Sequence, residues 1–233
     1  MEEKIITDKE LGEITIRRNK QAKRYSIRIR EGKIIATIPW RGNEKTMLTF
    51  INEQRTRLIV MQQKSSKQLL LDENTELQTL TFRLHIFRSL RTNFYATLKE
   101  KTLHIACPET TDFGDHQIQQ KLHSVLKQAL KREARLILPV RLKHLAQLHH
   151  FNYNKVSIRD TKTRWGSCTS RKDISLSVSL MLLPLHLVDY VLLHELCHTI
   201  EMNHSERFWS LMDKVTNSKA KALRRELKEY KML

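Results

Sequence analysis

Apolar and polar positions alternate through residues 13–40. Ile14 and Ile16 stand between polar neighbours, as do Tyr25, Ile27 and Ile29, and Ile34, Ala36 and Ile38 resume the alternation before Pro39. A period of two is that of a half-buried strand, and Glu31-Gly32 offers a turn. The stretch predicts a β-hairpin. Its outer face is basic, with eight Lys/Arg against two Glu between Glu13 and Lys33. Residues 44–68 change to helical spacing through Met47, Leu48, Ile51, Leu58, Val60 and Met61. Strand patterns return at Leu80–Phe87, Asn93–Leu98 and Leu103–Cys107, closed by Pro108.

Beyond Phe113-Gly114-Asp115 the period lengthens again. Ile118, Leu122, Val125, Ala129, Leu136, Leu142, Leu145 and Leu148 fall at helical intervals, opposite a basic face of Lys121, Lys127, Lys131 and Arg135. Pro139 interrupts this run and predicts two helices or one kinked helix. Short strands are expected at Lys155–Arg159 and Ile174–Leu180. Helices follow from Pro184 to about Met202, from Ser205 to about Val215, and near Lys219–Tyr230. The whole reads as an α+β chain, with a β-rich module carrying one helix over residues 1–110 and an α+β module carrying the chemistry over residues 111–233.

The 233 residues suffice to bury a core without covalent staples. Cys107, Cys168 and Cys197 are an odd, sparse set and read as reduced thiols, which points to a cytoplasmic protein. The charged start, MEEKIITDKE, shows no secretory signal, and no apolar run approaches the roughly 18 residues of a membrane span. Forty-two basic against 25 acidic residues give a net charge of +17. That balance favours a polyanionic partner, nucleotide or nucleic acid, at the basic N-terminal hairpin. Oligomeric state is not legible.

The chemistry concentrates at Leu192-Leu193-His194-Glu195-Leu196-Cys197-His198, an H-E-x-x-H inside an apolar helical run. In a helix, positions i and i+4 lie about 40° apart, so His194 and His198 can offer nitrogens to one metal. Glu195 lies about 100° from His194 and can reach a water beside that metal without ligating it. This is the pattern of a zinc hydrolase with one open coordination position. Shuffling this composition gives roughly 0.04 chance matches per chain, the false-positive risk such a motif carries. The competing reading is a helix whose histidines are satisfied by core hydrogen bonds.

Catalytic zinc usually takes three protein ligands. His204 is the preferred third, with Glu201 and Glu206 as rivals. A continuing helix would turn residue 204 about 120° from His198 and carry it roughly 9 Å along the axis. The helix is therefore expected to end between them, with Asn203 as breaker. Upstream, Thr163-Arg164-Trp165-Gly166-Ser167-Cys168 reads as an active-site wall or as a plain loop. Arg164 suits an anionic substrate group or an oxyanion, Trp165 suits packing under the helix, and Gly166 suits an unusual φ. Cys197 reads as packing. Ser175, Ser177 and Ser179 alternate with apolar residues, which suits a strand exposing one face as a template for an extended substrate.

Several of these segments resemble a known family. RWGSC at 164–168, Ile174-Ser-Leu-Ser-Val, Pro184, DYVLLHELCH at 189–198 and NHSERFW at 203–209 are similar to the YgjP-like metallopeptidase domain family, itself similar to the SprT and WLM metallopeptidases. Residues 16–40 look like that family's opening β segment. The resemblance implies a zincin-like domain and a zinc-dependent peptidase acting on peptide or protein substrates. His194, His198 and His204 would be ligands and Glu195 the general base. The tail NSKAKALRRELKEY departs from the family, which often carries a Pro and a Tyr there. Two other functions remain open on the residues alone. One is a metal-dependent nucleoside triphosphate pyrophosphatase or phosphohydrolase, and the other a basic nucleic-acid-associated module. Imidazole donors also admit manganese, cobalt or nickel.

Overall fold

The computed structural model describes residues 3–30, 33–65, 69–161 and 163–232. The chain divides into two compact units, Met1–Leu69 and Leu70–Leu233.

The first unit is a four-stranded sheet with two helices. Strands β1 (Glu3–Asp8), β2 (Gly12–Asn19), β3 (Ser26–Arg30) and β4 (Lys33–Pro39) lie in the order β1-β2-β4-β3. Helices α1 (Glu44–Glu53) and α2 (Arg55–Ser65) follow. Ile14, Ile16, Ile34, Ala36 and Ile38 close a core with Met47, Ile51 and Leu58. The alternation thus marked the inward positions correctly, but only β3 and β4 form the expected hairpin. Their turn at Glu31-Gly32 falls outside the described residues. β2 instead runs parallel to β4. β1, which the sequence pattern did not single out, pairs antiparallel with β2 through a turn at which Gly12 takes a positive φ. Asp8 fixes that turn by accepting from the Glu10 and Leu11 amides, and Arg55 clamps the same carboxylate. Part of the basic face is engaged internally. Arg17 donates to Thr37, Arg18 donates to the Trp40 and Gly42 carbonyls, and Lys20 lies over the Trp40 ring.

The second unit is a mixed α+β body built on two three-stranded sheets. In chain order its elements are β5 (Arg83–Ser89), β6 (Tyr95–Lys99), β7 (Thr102–Pro108), α3 (His116–Leu148), β8 (Lys155–Arg159), β9 (Gly166–Cys168), β10 (Asp173–Ser177), α4 (Leu185–Cys197), α5 (Glu206–Val215) and α6 (Ala220–Leu227). One sheet has the order β5-β7-β6 and the other β8-β10-β9. Leu84, Ile86, Leu103 and Ile105 from the first sheet join Ile174 and Leu176 from the second in one core with α3 and α4. That shared core is why the compact units part between Leu69 and Leu70 and not near residue 110.

Helix α3 is continuous through Pro139. Leu122, Leu126, Leu130, Ala134, Leu138 and Leu142 repeat every four residues and are fully buried, so they form one ridge along the helix. Proline in a helix interior costs about 3 kcal/mol. Each buried leucine returns roughly 1.5–3 kcal/mol, so the ridge holds both halves in line. Leu136 and Leu148, expected on the core face, are exposed on its flank. Arg141 and Asp189 tie α3 to α4 through two hydrogen bonds, Nε to Oδ1 at 2.7 Å and Nη2 to Oδ2 at 2.6 Å. No helix among the described residues is long and apolar enough to cross a membrane.

The strand expected over Ile174–Leu180 is shorter. It ends at Ser177, and Val178–Leu182 turns as a 3-10 helix capped by the Ser177 hydroxyl, which accepts from the Ser179 amide. β10 is moreover the central strand, paired with β8 on one side and β9 on the other. It therefore has no free edge for strand addition.

Candidate metal centre

Helix α4 carries the H-E-x-x-H motif at its C-terminal end. Leu187, Val188, Val191, Leu192 and Leu196 are buried and anchor it. The helix ends at Cys197, and the Ile200 and Glu201 amides fold back onto the Cys197 carbonyl. The chain then crosses residues 201–204 before Ser205 caps α5 by accepting from the Phe208 amide. The helix thus ends at Cys197, earlier than the expected Met202 and without Asn203 as its breaker, and the break returns His204 to the helix end.

The three imidazoles converge. Nε2 of His194 lies 3.2 Å from Nε2 of His198 and 3.0 Å from Nε2 of His204. All three donor atoms fall within 4.8 Å of one another. Neither rival carboxylate, Glu201 nor Glu206, belongs to the cluster. What Glu201 contributes is its backbone carbonyl, 3.0 Å from Nδ1 of His198. A carbonyl oxygen only accepts, so Nδ1 carries the proton and Nε2 points its lone pair into the cluster. Two ligands held at 2.0–2.1 Å on a tetrahedral ion stand roughly 3.3 Å apart. The observed 3.0 and 3.2 Å spacings match that edge, so the residues fit a tetrahedral metal of the zinc type.

Glu195 does not belong to the ligand cluster and is 4% exposed. Its Oε2 is buried without a hydrogen-bond partner, and burial pushes the carboxyl up to about 8. Burial first, then the neighbouring His198 and His204, hold His194 down to about 3. Burial also lowers His204, with smaller effects from His198 and Arg224. Without a cation the site thus favours neutral His194 and His204 rings and a protonated Glu195.

The floor of the site is Phe208, fully buried, with its ring centroid 4.9 Å from His194, 4.6 Å from His198 and 4.8 Å from His204. Trp209 stacks on His204, and the Arg224 guanidinium lies over Trp209. Phe208 and Arg224 were not assigned roles from sequence. The i+4 spacing of His204 and Phe208 across a helix cap was the available signal for the first, while Arg224 comes from a distant helix and left none.

Arg164 is exposed on the loop before β9, and Trp165 is half-buried against the core. Ser177 is 1% exposed and its hydroxyl donates to the Thr161 carbonyl, so it is a structural cap and not a substrate contact. Gly166 has no positive φ; its requirement is the close approach of Glu195. Cys197 is buried, and burial raises its thiol to about 12, in keeping with a packing role.

The chain belongs to the YgjP-like metallopeptidase domain family, whose profile matches residues 23–230. Membership supports a metal-dependent peptidase, and the mixed α+β architecture is consistent with one. Among solved structures, the metallopeptidase zymogen of Pyrococcus abyssi abylysin is similar to it at 24% identity. That match covers 42% of this chain and 100% of the other, with a TM-score of 0.37. No curated protein matches.

Proposed function

We propose that this protein is a zinc-dependent metallopeptidase of the H-E-x-x-H class, with a zincin-like second unit. His194, His198 and His204 would hold the ion and Glu195 would act as general base. The observation that carries the reading is the meeting of three Nε2 atoms around His194, with the His198 tautomer already set for ligation. Zinc at this position would supply Lewis acidity and make water nucleophilic near neutral pH.

The chain's own residues supply the rest. Glu195 takes the proton of the attacking water on its unpartnered Oε2 and passes it to the leaving amine. Phe208 excludes water beneath the imidazoles and limits their rotation. The strand edge bordering Glu195 is β9, which among the described residues pairs only with β10, and an extended peptide would align there.

Two measurements test this together: zinc content by elemental analysis, and hydrolysis of an unfolded, fluorescence-quenched protein substrate with and without chelator. Wild type is expected to bind zinc and to cleave, and His194→Ala to lose one zinc equivalent and all cleavage. Equal zinc in both proteins removes the site. Chelator-sensitive release of phosphate or pyrophosphate from ATP or UTP, with no cleavage of the protein substrate, replaces the peptidase with a phosphohydrolase.

A further inference from the structure

A second pair of histidines sits in the β5-β7-β6 sheet. β5 and β7 run parallel with His85 directly opposite His104, and Thr97 of β6 faces His104 from the other side. Side chains alternate across a sheet. Leu84 and Ile86, with Leu103 and Ile105, point to the core, so His85 and His104 stand together on the outer face. Their Nδ1 atoms are 3.2 Å apart, with ring planes crossed at 85°. Phe87 stacks on His85 at 5.1 Å and meets His104 edge-on at 6.5 Å, which restrains both rings.

We propose that His85 and His104 form a second metal site, on this outer sheet face, for a late first-row divalent cation such as zinc or copper. Two imidazole nitrogens bound at 2.0–2.1 Å to a tetrahedral ion stand roughly 3.3 Å apart, and this pair is already at 3.2 Å. The separation equals that between His194 and His198. The backbone ladder fixes both Cα atoms, so little side-chain freedom is left to lose on binding. His85 is exposed and His104 half-buried, so an ion can enter from solvent and water can complete its coordination. Imidazole donors select zinc, copper or nickel over magnesium or calcium. Two ligands hold an ion less tightly than three, so this site fills after the one at His194. It does not rest on the peptidase reading.

The test is zinc stoichiometry on the full chain by equilibrium dialysis and elemental analysis. Wild type is expected to saturate at two zinc ions per chain. H85A and H104A should each saturate at one, while His194→Ala keeps the weaker ion. Copper added to zinc-loaded wild type should give an electron paramagnetic resonance spectrum with nitrogen hyperfine structure that H104Q lacks. Zinc stoichiometry equal to that of wild type in both H85A and H104A overturns the proposal. Protection of His85 and His104 from diethyl pyrocarbonate by the second zinc equivalent, read by mass spectrometry, needs no substitution. Modification of both at an unchanged rate also overturns it.

Discussion

A methyl group on Gly166 would stand 2.6 Å from Oε1 of Glu195 and 2.7 Å from its Cγ. No real Cβ packs that closely, so β9 and the glutamate can be neighbours only because residue 166 has no side chain. Gly166→Ala should therefore displace the Glu195 carboxylate while leaving the three imidazoles in place. We expect zinc content to be unchanged and kcat/KM to fall on the order of 10²-fold, the cost of a misplacement near 1 Å. Steady-state kinetics beside elemental analysis checks this; full activity would show that the carboxylate's position is not critical.

Glu195→Gln keeps the shape of the side chain and removes its basicity. It should retain zinc and lose turnover by roughly 10²–10⁴-fold, the range of general acid–base catalysis. Undiminished turnover removes Glu195 as the base.

Phe208 touches all three imidazoles and is wholly buried. Phe208→Ala should cost about 3–5 kcal/mol in unfolding free energy and weaken zinc binding as well, because the rings lose their floor. Phe208→Leu should recover much of both. Chemical denaturation and competitive zinc titration measure the two effects separately.

The raised carboxyl of Glu195 gives metal-stripped protein a definite pH dependence. The folded state keeps its proton up to about pH 8, whereas the unfolded chain releases it near 4.5. This group's stabilisation is complete below pH 4.5 and is lost as pH rises toward 8. His194 acts in the opposite sense. It stays neutral when folded down to about pH 3, while the unfolded chain takes up a proton below 6.5, so its contribution is present above 6.5 and lost as pH falls toward 3. Comparing wild type with Glu195→Gln isolates the first effect. Urea unfolding between pH 4.5 and 8 should show wild type losing stability relative to the variant as pH rises. Parallel curves would mean that Glu195 titrates like an ordinary surface carboxylate.

The two-pronged Arg141–Asp189 pair joins α3 to the helix that carries the motif. Both partners are partly exposed, so Asp189→Asn should destabilise by about 1–2 kcal/mol, within the range for hydrogen bonds to charged groups. Thermal unfolding of the variant at constant zinc checks it.

By itself the sequence determined which positions face inward and which residues can ligate. The alternation of Ile14, Ile16, Ile34 and Ile38 and the motif at 194–198 are local regularities, set by backbone periods that need no partner to be read. The turn that returns His204 was legible for the same reason, since a helix running on would have carried it away. Tertiary structure decided what local periods cannot express. β2 pairs parallel with β4 because hydrophobic faces, and not chain order, choose neighbours. Helix α3 passes through Pro139 because a long buried ridge outweighs one lost hydrogen bond. Ser177 turned inward because its hydroxyl caps the 3-10 turn that follows and donates to the Thr161 carbonyl. Phe208 beneath the imidazoles and Gly166 against Glu195 belong with these, since close packing between segments distant in the chain depends on shape and volume, which the pattern of polar and apolar letters does not contain.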